Sequence, residues 1–324
     1  MTTLVVGGGI AGSACAEALA EAGVPAELRE RGRRLGGRMA SRMLRDTGTP
    51  FDGRVVDIGA SYFTVSDDAF AERVDALISQ GVVRAWTDGF HVAGPTGIEA
   101  VSGGSVRYAA PFGLRSVVEA LAALSDAVPK TTEANVSVID VSGGRIVVDG
   151  EPVDSLALCM PTPQARRISD VVPDLPIPWE PVIAVTCVFD RRYWIDLDGV
   201  FVNDDSVITW IADDGSRRGD GAPVLVAHVH PVLSAGHLSN PSEVIPMAIA
   251  AIQRVLHVTA YPDWVDAHRW SFAKPLTASP AGHWLHGEAD LGVAGDAWAG
   301  GPRVEAAWLS GRSLGLELAA RQTR

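Results

Sequence analysis

The chain is poor in cysteine, with only Cys15, Cys159 and Cys187 in 324 residues. An odd, widely spaced set in segments that read as buried helix or strand argues against a disulfide framework or a zinc site. It predicts reduced core thiols in a cytoplasmic protein. Long apolar runs are also missing, so no membrane span is expected. The first apolar run has no charged lead and breaks at Gly7, which is unlike a secretory signal. Positive charge is in deficit, with 27 Lys and Arg against 39 Asp and Glu and a net charge of −12. That balance weighs against nucleic acid or an anionic membrane surface as partner, while leaving room for a local basic pocket. Repeats and low-complexity tracts are lacking too. What is present is 47% hydrophobic residues, ample for a packed core in two lobes.

Residues 4–12 read Leu-Val-Val-Gly-Gly-Gly-Ile-Ala-Gly, a buried strand running into a glycine turn and then a helix of small residues. Gly7, Gly9 and Gly12 fill the Gly-x-Gly-x-x-Gly pattern. In it Gly7 takes the tight turn, Gly9 lets a pyrophosphate approach without meeting a Cβ, and Gly12 lets the helix press on the strand. The helix start, at Ile10 and Ala11, offers unpaired N–H groups and a positive dipole end to an anion. Ala14, Cys15, Ala18, Leu19 and Ala22 keep helical spacing up to Gly23, and residues 25–30 return as a second strand. Glu30 then falls where a carboxylate accepts the adenosine ribose hydroxyls and repels a 2′-phosphate. This predicts FAD or NAD(H) over NADP(H).

Next come Arg31, Arg33, Arg34 and Arg38, which read as a solvated cluster, except that Arg38 follows a Gly-Gly pair and can fold back on a pyrophosphate. An amphipathic helix is expected over 67–80, with Phe70, Val74, Leu77 and Ile78 on one face. Short strands are expected at 82–86 and 90–92 before a turn at 94–97, then a helix over 114–124. Strand signals follow at 135–139, 146–148 and 155–159. Prolines at 173, 176, 178 and 181 mark a crossover into a second lobe. That lobe has strand signals at 182–189, 207–212 and 224–229 and a helix at 241–256, which suit an antiparallel sheet with a helix on one face and a pocket on the other. Thr186, Trp210 and His228 are candidates to look into that pocket, with simple packing as the competing reading. His228 and His230 share a strand face, but no further donor stands at ligand spacing, so no metal is expected. Near the end a strand runs into Gly295-Asp296, a loop carries Trp298, and a helix opens close to Pro302.

The three glycines, Glu30 and residues 35–39, Leu-Gly-Gly-Arg-Met, resemble the opening of the FAD-dependent amine oxidase superfamily. The runs 268–275, His-Arg-Trp-Ser-Phe-Ala-Lys-Pro, and 303–311 are similar to the renalase-like branch. The resemblance implies an α/β fold: an FAD-binding Rossmann-like domain of the glutathione reductase or amine oxidase type, and a second α+β substrate domain built on an antiparallel sheet. It implies an FAD domain from 1–66, 108–168 and 281–324 and a substrate domain from 67–107 and 169–280. It places Arg31, Gly37, Arg38 and Met39 near the nucleotide, with Arg38 on the flavin phosphates. Gly59 and Ala60 would lie beside the isoalloxazine ring, and the Val136 backbone would hydrogen-bond the adenine. Gly295 and Asp296 would meet the ribityl chain. Arg303, Val304 and Ala307 would open the helix that points at flavin N1 and the C2 carbonyl, where its dipole stabilises negative charge.

The activity implied is oxidation of 2- or 6-dihydronicotinamide isomers to the ordinary oxidised nucleotide, with O2 accepting the electrons and H2O2 formed. Tyr62, Trp210, His268, Trp270 and Trp298 are the candidates to border the reacting face. No cysteine lies in the C-terminal block where related proteins carry a cysteinyl linkage, so FAD is expected to be noncovalent. Three other readings stay open. They are an amine oxidase or desaturase with an aromatic cage, Tyr62 with Trp298; a flavin-binding protein without turnover; and a nicotinamide dehydrogenase that uses only the first glycine motif. Oligomeric state is not legible.

Overall fold

The computed structural model describes residues 1–322. Thr3–Val6 is buried on both faces because it sits inside a six-stranded sheet. Its neighbours are Ser155–Leu158 and Ala26–Arg29, both parallel to it. Leu291–Val293 and Lys130–Thr131 extend the parallel arrangement outward, and Trp284–Leu285 closes one edge antiparallel. A parallel sheet needs helices on its faces. The first of these, Ile10–Glu21, is so rich in alanine and glycine that ten of its twelve residues are buried, packed between Leu114–Ala123 and the closing helix Val304–Gln322.

Glycine sets how closely these helices meet. A Cβ on Gly311 would collide with the carbonyl oxygen of Ala11, and one on Gly315 would stand 2.6 Å from that of Cys15. The far end of the closing helix returns to the first strand, where Gln322 Nε2 donates to Thr3 Oγ1 at 2.7 Å. All three cysteines are buried free thiols, but Cys15 and Cys159, distant in sequence, hydrogen-bond to each other. That bond, together with burial, pushes the Cys15 thiol well above its ordinary range.

The second large sheet has seven strands, in the order Trp264–Pro275, Trp179–Val188, Val224–Val229, Ile208–Asp213, Gly199–Val202, Arg84–Gly94 and Gly97–Ala109. It is antiparallel except where Gly199–Val202 runs parallel to Arg84–Gly94. No hairpin joins that pair, so nothing forces the antiparallel sense expected from the sequence. Ile183, Val185 and Cys187 face the helix Ile245–Leu256, and the intervening residues of the strand face the other way. The two short strands expected around 82–92 are one long strand, Arg84–Gly94, paired through a hairpin. The strand expected at 135–139 starts only at Ile139. Before it, the Asp149 carboxylate accepts the N–H groups of Ser137 and Val138, which removes them from any ladder. The closing helix opens at Val304, two residues after Pro302. Among the described residues no helix is long and apolar enough to cross a membrane.

A buried ionic cluster joins the second sheet to the hairpin Ser41–Met43 and Val55–Asp57. Asp214 accepts from Arg54, Arg217 and Arg218, and Arg218 also pairs with Asp57 at 3.0 Å. Burial alone would raise the Asp214 carboxyl, but the three guanidiniums outweigh it and hold the group far below the usual carboxylate range.

The close contact of the first and last helices is the most easily tested part of this packing. Gly311→Ala forces a methyl into the Ala11 carbonyl and should cost about 1–3 kcal/mol, the usual penalty of overpacking. Urea unfolding should show a lowered midpoint, whereas Gly236→Ala, at an open position, should leave it near the parent value.

Candidate active site

Between the two sheets lies a cleft of about 1430 Å³. Ligand pockets for drug-sized molecules usually hold roughly 300–1,000 Å³, so there is room here for a dinucleotide and part of a second molecule. At one end stand the glycines of the first turn. Gly7, at φ 111°, lies against the Cys159 carbonyl, and Gly12 lies against the Gly7 carbonyl, so neither tolerates a side chain. Gly9 has a different environment. A Cβ there would meet only the Gly37 Cα at 3.7 Å, because the rest of its surroundings is open cleft. Gly9 is the N-cap of Ile10–Glu21, which has no side-chain cap and no acid in its first turn. The N–H groups beside Ile10 and Ala11 therefore suit an anion from outside the chain.

Glu30 is fixed by two amides, from Gly8 at 2.7 Å and Gly32 at 2.6 Å, and it lines the same cleft. Val136 lines it as well, and the exposed Arg31 stands at its rim. Gly36 and Gly37, at φ 137° and 51°, turn the chain into Gly37–Met39, so that Met39 is buried and Arg38 points inward. Arg38 makes a bidentate pair with Asp296 at 2.7 and 2.6 Å and donates to the Ala273 carbonyl at 3.2 Å. Its partner in this structure is thus a carboxylate from the other end of the chain. Both are residues that the sequence singled out. The strand end at Gly295 is tied to the closing helix by its N–H, which donates to Ser310 Oγ at 3.0 Å. Arg303, Val304 and Ala307 bring that helix's start onto the cleft. Buried Glu305 anchors it by accepting from Ser66 N–H, Ser66 Oγ and Asp67 N–H at 2.6, 2.6 and 2.8 Å. Burial would raise this carboxyl, but the bonds from Ser66 and Asp67 bring it below its ordinary value.

Gly59 and Ala60 form part of the cleft wall, in a segment held from several sides. Trp270 Nε1 donates to the Ile58 carbonyl at 2.7 Å. Arg217 donates to the carbonyls of Ser61 at 3.1 Å and Asp57 at 3.3 Å. The Ala60 N–H donates to the Arg38 carbonyl at 2.9 Å, and the His228 ring hydrogen-bonds with the Gly59 backbone. A Cβ on Gly59 would strike the Arg38 carbonyl. Arg217 escaped the sequence reading because Asp-Asp-Gly-Ser-Arg-Arg looks like a solvated turn. The only available signal was so much charge directly after a strongly apolar strand.

The sheet register explains which candidates face the cleft. His268, Ala184 and His228 lie in one row across three strands, followed by Trp210 on a fourth. Strands are about 4.8 Å apart, so the backbones of the two histidines are roughly 10 Å apart, with buried Ala184 between them. His268, Trp270 and His228 line the cleft, with the His268 and Trp270 rings 4.8 Å apart. Tyr62, Trp210 and Trp298 pack elsewhere. Tyr62 sits against Trp86, Phe90 and Trp210 at 6.5, 5.2 and 5.9 Å, and Trp210 donates to Ser61 Oγ at 2.9 Å. Trp298 is buried in the segment beyond Asp296, and Tyr62 and Trp298 form no cage. Thr186 is buried outside the cleft wall. His230 turns from its neighbour to cap Pro231–Gly236. Among the described residues no three His, Cys, Asp or Glu side chains gather to hold a metal.

Both cleft histidines are kept neutral. Burial, followed by the Arg217 charge, pushes His228 down to about 4, and burial, followed by Arg42, lowers His268. His228 is half-buried and lines the cleft.

Residues 5–78 match the family described as the NAD(P)-binding Rossmann-like domain. The whole chain is similar to a candidate protoporphyrinogen oxidase from Exiguobacterium sp. 255-15, with a TM-score of 0.74, 16% identity and 99% of each chain covered. A cofactor-binding double mutant of putrescine oxidase gives 0.71 at 17% identity, covering 99% of this chain and 100% of that one. Cyclohexylamine oxidase from Brevibacterium oxydans IH-35A gives 0.71 at 15% identity, covering 100% of this chain and 99% of that one. The chain therefore has a Rossmann-like α/β fold, shared over its whole length with these three oxidases.

His228 supplies a pH test. Its folded value is about 4 against 6.5 when free, so between those values the unfolded chain binds the proton and the folded one does not. Stability should fall as pH drops through that window and gain no further slope from this group below it. His228→Asn should flatten the slope in denaturant titrations, and a ring resonance that titrates near 6.5 in the folded protein would contradict the assignment.

Proposed function

We propose that the protein is an FAD-dependent oxidoreductase that oxidises 2- or 6-dihydronicotinamide nucleotides by hydride transfer, with O2 as electron acceptor and H2O2 as product. The features that fit FAD are the uncapped helix start at Gly9, the Glu30 carboxylate held by two amides, and the Arg38 and Asp296 pair beside a second helix start. Cys159 is the only cysteine on the cleft, and it lies beneath the first glycine turn, which supports noncovalent binding. Held by these residues, FAD would supply the two-electron chemistry that the reaction needs.

One observation favours a nucleotide substrate over an amine. Eleven arginines and Lys274 line the cleft; six of the arginines pair with carboxylates, whereas Arg31, Arg45, Arg115, Arg167, Arg269 and Lys274 have no acidic partner among the described residues, in a chain whose net charge is −12. A diphosphate neutralises two charges at most, and the remainder attracts anions and repels a protonated amine. His228, His268 and Trp270 line the cleft at this end, where the nicotinamide ring would lie. Loss of hydride leaves the nicotinamide ring positive, and two neutral imidazoles do not oppose that charge as protonated ones would. The donor's C–H bond gives up hydrogen with its electron pair, so no side chain has to take a proton. The role of the protein is then orientation and exclusion of water. The rival reading, amine oxidation, draws on structural neighbours that include putrescine and cyclohexylamine oxidases.

Anaerobic mixing of flavin-loaded protein with 2- or 6-dihydro-NAD should bleach the flavin far faster than ordinary NADH does. Bleaching by putrescine or cyclohexylamine instead would establish the rival. Glu30→Ala and Asp296→Ala should lower the flavin content of the purified protein while circular dichroism of the apoprotein stays native, and full flavin content in both would remove the cofactor assignment.

A further inference from the structure

We propose that Arg115 is a positioning residue for the cofactor: it clamps both ends of the loop that runs from Leu35 to Ser41, and so sets where Arg38 stands in the cleft. The inference rests on the FAD reading given above. It starts from a cation whose surroundings do not favour it. Arg115 is the second residue of the helix Leu114–Ala123, half-buried at the cleft wall. Burial, followed by the charge of Arg34, lowers its guanidinium below the ordinary range. No carboxylate compensates it. Glu119, one turn along the same helix face, pairs with Arg34 at 2.7 Å instead. Glu30 is taken up by the amides of Gly8 and Gly32, and Asp57 by Ser41, Leu114 and Arg218. The Arg115 Nε is buried with no hydrogen-bond partner among the described residues. A placement of this kind costs stability, and a stability cost of this kind is typical of residues kept for a site.

What the guanidinium does instead is bridge. Arg115 Nη1 donates to the Leu35 carbonyl and Nη2 to the Ser41 carbonyl, each at 2.8 Å, so one planar group ties the two ends of the loop together. The Arg115 N–H donates to Ser41 Oγ at 3.2 Å, which joins the helix start to the same end. Gly36 rests on the side-chain stem, where a Cβ would come within 3.2 Å of Arg115 Cγ. Gly37 lies against the first glycine turn, where a Cβ would meet the Gly9 Cα at 3.1 Å. The loop is therefore pressed between Arg115 and Gly9, and Arg38 leaves it aimed at Asp296. Within the loop, the Met39 and Ala40 N–H groups close single turns on the carbonyls of Gly36 and Gly37 at 2.9 and 3.2 Å. Two adjacent glycines have wide conformational freedom, and the clamp removes it.

Two measurements on the full chain test this. Hydrogen exchange of the apoprotein, read on peptides covering 35–41, should be at least about tenfold faster in Arg115→Gln than in wild type, with the helix Ile245–Leu256 unchanged. FAD titration, read from flavin fluorescence, should show an affinity at least about tenfold weaker in the same variant. Arg38→Gln closes a double-mutant cycle. If Arg115 acts through Arg38, adding Arg115→Gln to that variant should weaken FAD binding by less than about twofold more. A fully additive loss would overturn the positioning role, as would unchanged exchange or unchanged affinity in Arg115→Gln. Arg115→Lys keeps the charge and the stem but cannot bridge two carbonyls, so it should resemble Arg115→Gln. Full recovery by lysine would make the charge the active feature and overturn the clamp, and this variant replaces the glutamine one should the latter fold poorly. If wild type takes up no FAD, the cofactor reading falls; faster exchange in the variant then still supports the clamp, and unchanged exchange overturns it.

Discussion

The closeness of two helices governs much else in this molecule. The first and the last can lie against each other only because Gly311 and Gly315 present bare backbone to the Ala11 and Cys15 carbonyls. With a side chain at either place the helices would move apart, and the two helix starts would no longer open on the same cleft. Arg38 and Asp296 meet bidentately across a separation of 258 residues. Nothing local in the chain could bring them together.

The second constraint is the handling of charge. An acidic protein surrounds a cleft lined with arginine, so the local field opposes the global one. Much of that arginine has structural work as well. Arg217 holds two carbonyls of the wall at 57–61 while its charge helps keep His228 neutral, and Asp214 compensates it in the same buried cluster. Removing one partner of such a cluster leaves the others buried without compensation, which usually costs more than the pair contributed. The segment with Gly59 and Ala60 is consequently held in place from several sides.

The nucleotide end was the more legible part of the sequence because its chemistry is carried by backbone. Glycines at fixed spacing, an acid one strand later and a Gly-Asp at a strand end all report local geometry, and Gly9, Glu30, Arg38 and Asp296 converge on one cleft. The end that carries His228 and His268 was less legible. Side chains there reach the cleft through sheet register, and a one-residue difference in pairing decides whether a tryptophan faces ligand space or core. His268 and Trp270 face it, whereas Tyr62 and Trp210 join an aromatic cluster, yet no local signal distinguishes the two outcomes. The irregular segment before Ile139 failed for a related reason, since Asp149, more than ten residues onward, takes its amides.

The hydrogen bond from Gln322 to Thr3 also bears on how the protein is made. Strand and helix that touch across some three hundred residues impose a long loop closure, and contacts of that kind form late. During synthesis the Ala11 and Cys15 face of the first helix must wait, bare, until the closing helix has emerged. The cleft is therefore completed only once the closing helix has been made, and a chain that stops before it would carry an uncovered, adhesive flank.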